Sequence, residues 1–301
     1  MHGIRMFYRR KLILALLESF ERSVSRIEMQ KYLFLLTRGQ DKPAYDFIPY
    51  RYGCYSFTAA SDISVMQSQR LLVIENDEIT KACRENYINQ IENDDQGKLI
   101  VISDMFRRHK DVDALMRYVY TSEPYYAVLS TVKERLLTAR ELERVHESKP
   151  VIQGVTLATI GYEGVSIEAY NNKLIKNDIR CLIDVRKNPQ SMKFGFSQKT
   201  LRYICEETGI RYVSIKELGI DADKRNKLET QKDYNDLFDY YISSTLNMTE
   251  KYQLDVLELL DTYRRVALTC FEKEITRCHR SVLADYIVQK YRPVEAVQHI
   301  Q

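Results

Sequence analysis

The residues best suited to chemistry lie in the second half of this 301-residue chain, at or just past the ends of apolar runs. The densest group is Cys270, Glu272, Cys278, His279 and Arg280. An apolar run over 265–270 reads as a buried strand, a loop follows, and Cys278-His279-Arg280 opens a helix. A helix N-terminus carries unpaired backbone N–H groups and a partial positive charge, so an anion is its natural guest. A cysteine placed there has more thiolate character. Arg280 adds a planar cation matched to phosphate or carboxylate. On this pattern Cys278 is the candidate nucleophile, His279 the proton carrier, and Glu272 either an acid–base group or the buried partner of an arginine.

Two further strings belong with these. Asp184-Val185-Arg186 closes a second apolar run, and strand alternation puts Asp184 and Arg186 on one side. Buried charges need partners, so the pair reads either as a scaffold ion pair or as an anion-facing arginine steadied by its aspartate. Ser191 follows in a loop long enough to fold over a site. Tyr162 and Glu163 come after a third run that ends in a Gly161 turn, and Tyr162 is suited to stack on a ring or to pack. The spacing of Gly161 and Gly164 is too short for a dinucleotide fingerprint. Each residue also has a plainer role: Cys270 as a small buried hydrophobe, His279 as a helix cap, Tyr162 as packing. Their concentration on one predicted sheet edge favours a small anionic ligand, a nucleotide or a nucleic-acid phosphate.

The elements that must position these residues alternate. Strands are expected at 155–160, 181–185, 211–214 and 265–270, with 294–297 as a last edge strand. Helical spacing falls between them, around Ile167–Leu174, Leu201–Thr208, 234–248, 252–263 and 280–290. Strands separated by helical connections pair in parallel through right-handed crossovers. The expectation is a three-layer α/β domain over 151–301, with ligands at the carboxyl edge of its sheet.

Residues 1–125 read differently. Ile13, Leu16, Leu17 and Phe20 form one helical face, and Met29, Tyr32, Leu33 and Leu36 form another. Residues 45–55 alternate and carry Pro49 and Gly53, as a strand and turn would. A helix near 59–70 and a strand at 71–74 follow. This is a mainly helical, winged-helix-like module. The charged stretch 126–150 is expected to be a solvated connecting helix ended by Pro150. Residues 1–38 hold eight Lys/Arg against three acids, and Arg9, Arg10 and Lys11 are the densest cluster. They are either phosphate contacts or a solvated helix end.

Composition narrows the class. Net charge is +3, with 23 Lys/Arg in residues 1–150 and 22 in 151–301, so neither half is basic enough to require nucleic acid. No apolar run approaches the ~20 residues that span a bilayer, which excludes a membrane partner and suits a cytoplasmic protein. Six cysteines form neither a disulfide framework nor a zinc spacing, so no metal or cofactor is expected.

Four motifs in order, "TIGYEG" at 159–164, "LIDVRKNPQSMKFGFS" at 182–197, "LRYICEETGIRYVSIKELG" at 201–219 and "LTCFEKEITRCHRSVLADYI" at 268–287, resemble the domain of unknown function 488 family. The resemblance covers about 155–298 and carries no settled reaction with it. In the first half, "QKYLFLL", "YDFIPYRYGCYS" and a helix ending in "LLV" resemble the SocA-like antitoxin (Panacea) domain over roughly 6–120, with Cys54 where that family's turn usually has Pro. This resemblance implies a regulatory or interaction module. The strand–loop–helix around Cys270 is also similar in layout to rhodanese and cysteine phosphatase loops. The seven residues from Cys270 to Arg277 are one too many for them.

The sequence therefore points to a nucleotide or nucleic-acid processing protein. Its C-terminal domain would do thiolate or acid–base chemistry at an anion site of Tyr162, Asp184, Arg186, Ser191 and Arg280. Its N-terminal module would recognise DNA or a protein partner. The alternative is a non-catalytic regulator, an antitoxin or a phage-defence accessory protein.

Overall fold

A computed structural model describes residues 6–20, 22–108, 111–225 and 228–301. The chain divides into two compact units, Met1–Lys149 and Pro150–Gln301. Among the described residues no helix is long and apolar enough to cross a membrane.

The first unit is built around the helix Tyr8–Phe20. Its periodic face predicts burial on one side, yet Leu12, Leu14 and Ala15 are buried as well, because neighbours surround it. Helix Arg26–Thr37 starts at a capping box between Ser25 and Glu28. Gln30 and Lys31 in that helix face inward. Gln30 bonds both the N–H and the carbonyl of Ser56, and Lys31 Nζ donates to the Cys54 carbonyl at 2.9 Å. These bonds pin the hairpin Ile48–Tyr50/Gly53–Tyr55 against the helix. Helix Phe57–Ser68 precedes the strands Leu72–Glu75 and Glu78–Lys81, which turn through Asn76 and Asp77 at positive φ. Val24–Ser25 adds a third antiparallel strand. The sequence pattern missed the helix Asn93–Arg108, whose buried Leu99, Ile102 and Phe106 are interrupted by polar residues. Residues 126–149 are not one solvated connecting helix. They form a 3₁₀ turn at Pro124–Ala127 and the helices Lys133–Leu136 and Ala139–Ser148, and Leu136, Leu137 and Val145 join the first unit's core.

In the second unit the strands are β1 (Thr156–Gly161), β2 (Cys181–Asp184), β3 (Arg211–Ser214), β4 (Arg265–Cys270) and β5 (Gln298–Ile300). They form a five-stranded parallel sheet in the order β5-β1-β4-β2-β3. The helices are α1 (Ile167–Lys176), α2 (Gln198–Glu207), α3 (Gln231–Tyr241), α4 (Glu250–Tyr263) and α5 (His279–Tyr291). The edge strand lies later than the expected 294–297. The segment after Arg292 (left-handed, φ 51) is irregular until Gln298 pairs with Ala158.

Strand order explains where a ligand can sit. The chain steps one way across the sheet from β1 to β2 to β3, then back to β4 and on to β5. Right-handed crossovers put helices of the two directions on opposite faces. Accordingly α4 and α5 pack their Val256, Leu260, Leu283 and Ile287 against Ile183, Val266 and Leu268. On the other face Tyr170 of α1 donates to Thr269 Oγ1 at 2.7 Å. Central β4, all six of its residues buried, leads to α5 on one face, while its neighbours β1 and β2 lead to α1 and α2 on the other. That is the switch point at which crevices open past the strand ends.

Candidate functional site

Such a crevice, of about 530 Å³, lies past the carboxyl ends of β1, β2 and β4. Tyr162, Arg186, Lys187, Arg225, Cys270 and Phe271 line it, and Ser191 and Met192 stand on the wall contributed by the loop after β2. Its size is typical of small-molecule sites.

Beneath it lies a compact polar cluster. Cys270 ends β4, Cys278 is the N-cap residue of α5, and His279 is that helix's first residue. Glu272 Oε2 is 2.9 Å from Cys278 Sγ and 3.3 Å from Cys270 Sγ. His279 Nδ1 is 3.8 Å from Cys270 Sγ. Arg225, in the 3₁₀ turn Ala222–Arg225, reaches in and spans Glu272 Oε1 and His279 Nδ1 at 2.7 Å each. The orientation of the imidazole follows from its partners. Val185 presents only a carbonyl to Nε2 at 3.0 Å, so Nε2 carries the hydrogen. The guanidinium can only donate, so Nδ1 is the bare nitrogen, turned toward the sulfurs.

These surroundings shift the acids apart. Cys270 is drawn well below the usual thiol range by the hydrogen bond from Cys278, helped by His279 and Arg225 against the opposing effect of burial. Cys278 is pushed well above that range by burial and by the neighbouring Cys270. Glu272 is raised by burial and by Cys270. Within this pair the surroundings favour negative charge on Cys270 over Cys278, since His279 and Arg225 face Cys270.

The two arginines are committed elsewhere. Arg186 is 5% exposed. Its Nε and Nη2 fork onto Asp184 (2.6–3.1 Å), and its Nη1 donates to the Tyr162 hydroxyl and the Phe196 carbonyl. Asp184 also accepts from the Tyr212 hydroxyl at 2.5 Å. Arg280, 1% exposed, donates to the carbonyls of Glu272 and Lys273 and so shapes the loop after β4. Tyr162 is stacked on Phe196 at 4.3 Å and is buried. Ser191 Oγ accepts from the Lys193 N–H within its own turn. So Cys270, Glu272, Cys278 and His279 form one cluster, and Asp184, Arg186 and Tyr162 form a second, with Arg280 bracing the loop between strand and helix.

Sequence reasoning missed Arg225 and Lys187. Arg225 lies 47 residues before Glu272 in an irregular segment with no periodicity to mark it. Lys187 directly follows the Asp-Val-Arg string and its weak pairing with Asp221, at 3.5 Å, leaves it solvent-facing. In the first unit, Arg9 and Arg10 both grip buried Asp62 (2.5 and 2.7 Å), which also accepts from Tyr45. Lys11 is half-buried. Arg9 and Arg10 are thus structural cations rather than a free basic cluster.

Residues 166–287 match the profile of a domain of unknown function, DUF488. That match falls wholly within the second unit. The match starts at Ser166, the N-cap residue of α1, and ends within α5. It takes in β2, β3, β4 and the whole Cys270–His279 cluster, and leaves β1 and β5 outside. No curated protein matches the chain.

Proposed function

We propose that the DUF488 domain binds a phosphate-bearing planar ligand, a nucleotide or a nucleotide unit of a nucleic acid, in this crevice and acts on it with the cluster below. The observation that carries the reading is the position of Cys270. It ends the central strand, opens onto the crevice, and has Glu272 and His279 beside it. Three groups of different chemistry thus meet at one strand end: a sulfur nucleophile, a carboxyl and an imidazole. Lys187 and Arg225 are the cations placed to meet a phosphate. Phe271, 43% exposed, offers a ring face for a base.

The first unit fits a recognition module. Its helices with a small antiparallel sheet and tight strand turn follow a winged-helix-like order. With Arg9 and Arg10 held by Asp62, a protein partner suits it better than the DNA backbone.

A regulatory reading has its own support. Each crevice cation has a carboxylate of its own: Arg186 with Asp184, Arg225 with Glu272, Lys187 with Asp221. A pocket balanced in this way suits a sensor that binds without turnover.

The test is thermal denaturation of the full chain with nucleotides and the matching nucleosides. Nucleotides should raise Tm, nucleosides less, and Lys187→Ala should abolish the difference. Equal shifts, or none, sink phosphate recognition. Turnover lost in Cys270→Ala then separates enzyme from sensor.

A further inference from the structure

The donor set below the crevice has a second use that does not depend on any nucleotide. We infer that Cys270, Cys278, His279 and Glu272 form a four-ligand site for a zinc-class divalent ion. Among the described residues, the two thiols and the imidazole are the one group whose ligand atoms converge in this way, all within 4.8 Å of one another. Glu272 Oε2 sits against both sulfurs.

The spacing matches the ion. With bonds of about 2.0–2.3 Å, a tetrahedral zinc site has edges of roughly 3.3–3.8 Å. Three of the observed edges are 2.9 Å (Cys278–Glu272), 3.3 Å (Cys270–Glu272) and 3.8 Å (Cys270–His279). The sulfurs and Nδ1 lie within 4.8 Å of one another, so side-chain shifts of about 0.5–1 Å bring all four donors to tetrahedral edges.

The imidazole is oriented as a ligand. Metal-bound histidines donate their other ring N–H to a carbonyl or carboxylate, which fixes the ring and the tautomer. His279 donates from Nε2 to the Val185 carbonyl and turns its bare Nδ1 to the sulfurs. On binding, Nδ1 passes from the Arg225 hydrogen bond to the ion. Arg225 keeps its other bond, to Glu272 Oε1, and becomes the outer partner of a ligating carboxylate.

The charges also close. Two thiolates, one carboxylate, one dication and the Arg225 guanidinium sum to zero in a buried site. The thiol protons leave to solvent as the metal enters. The ligands come from the end of β4, the loop after it and the start of α5, so a bound ion would tie the central strand to the helix that follows. Spacing alone does not reveal this site, because a Cys-x-Glu and a Cys-His whose cysteines lie eight positions apart match no common zinc pattern.

The test is cobalt(II) titration of the full-length chain, reduced and stripped with chelator. One equivalent should produce a thiolate-to-cobalt charge-transfer band and the intense visible bands of a tetrahedral site. Zinc should displace both, and Cys278→Ser should weaken the charge-transfer band, leaving only the contribution of Cys270. A folded wild-type chain without these bands, or bands unchanged in Cys278→Ser, overturns the site. Should the variant fail to fold, X-ray absorption of the zinc-loaded wild type decides. The zinc should show two sulfur neighbours together with nitrogen and oxygen. A coordination shell without sulfur overturns the assignment.

Discussion

His279 joins the start of α5 to the end of β2: its Nε2 donates to the Val185 carbonyl at 3.0 Å, across the face of the sheet where Cys270 ends β4. One side chain therefore fixes the separation between two strand ends and the helix that closes the cluster. His279→Ala leaves the buried Val185 carbonyl unpaired and removes a partner of Arg225. An unsatisfied buried acceptor costs about 1–3 kcal/mol. Urea unfolding followed by circular dichroism, with chelator present, should show that loss. An unchanged midpoint would mean the bond contributes nothing.

The Asp184–Arg186 pair should behave as scaffold. Removing one partner of a buried ion pair typically destabilises by about 3–5 kcal/mol, because the other charge is stranded. Arg186→Met and Asp184→Leu should each fall in that range. The double variant should lose much less than the two singles together, since neither charge remains. Arg186→Lys should not rescue, because an ammonium cannot span Asp184, the Tyr162 hydroxyl and the Phe196 carbonyl at once. A neutral Arg186→Met in the same urea assay would argue against a structural pair and restore Arg186 as a ligand contact.

Much of this arrangement was legible in the sequence, and the parts that were not share a cause. Strands β1, β2 and β4 announced themselves as mainly apolar runs, because a parallel sheet covered on both faces needs hydrophobic residues almost throughout. The strand ends then gave away the polar residues. What the runs could not reveal was which polar group satisfies which. Arg186 read either as the ion-pair partner of Asp184 or as an anion clamp, and Arg280 as a clamp; the fold adds the Tyr162 hydroxyl and the Phe196 carbonyl to Arg186 and turns Arg280 onto carbonyls of the loop before α5. Cys278 read as the reactive thiol from its helix start, while its burial beside Cys270 depends on the loop path over 271–277. Helix Asn93–Arg108 lacked a clean stripe because Asp95 and Ser103 are buried among its apolar residues.

Thiol accessibility should accordingly reverse the order that the helix-start pattern suggests. Cys278 is fully buried and Cys83 only partly so. Iodoacetamide at neutral pH should label Cys83 first in the folded chain, with the modified sites read by peptide mass spectrometry. Faster labelling of Cys278 would show that the loop over 271–277 opens readily.

The first unit should lose stability in acid through Asp62. Burial raises this carboxyl, but hydrogen bonds from Arg9, Arg10 and Tyr45 outweigh burial and hold it below the usual range. A group with a depressed folded pKa stabilises the fold above the unfolded carboxyl value, about 3.9, and the contribution vanishes as pH falls through the folded value. Thermal scans from pH 6 downward should therefore show a falling Tm below about pH 4. Asp62→Asn should lower Tm at neutral pH and flatten that acid limb. By the same reasoning Arg9→Ala and Arg10→Ala should reduce stability at neutral pH. A Tm unmoved by either arginine substitution would return both residues to the solvated-helix reading.

Gly161 provides the sharpest steric test. It ends β1, where an added Cβ would lie 2.1 Å from the Glu272 carbonyl oxygen and 3.1 Å from Arg280 Nη2. The close approach that glycine permits is thus to the loop after β4, and the Arg280 guanidinium holds that same carbonyl. Gly161→Ala must push the loop outward, since backbone atoms cannot rotate away as a flexible side chain does. Overpacking of this kind costs about 1–3 kcal/mol. Glu272 rides on the displaced backbone, so the substitution should also loosen its contacts with Cys270, Cys278 and Arg225. Loss of stability and of cobalt charge-transfer intensity together would follow from that coupling. A Gly161→Ala chain as stable as the wild type would mean the loop is free to relax, and the bracing by Arg280 would then have little consequence.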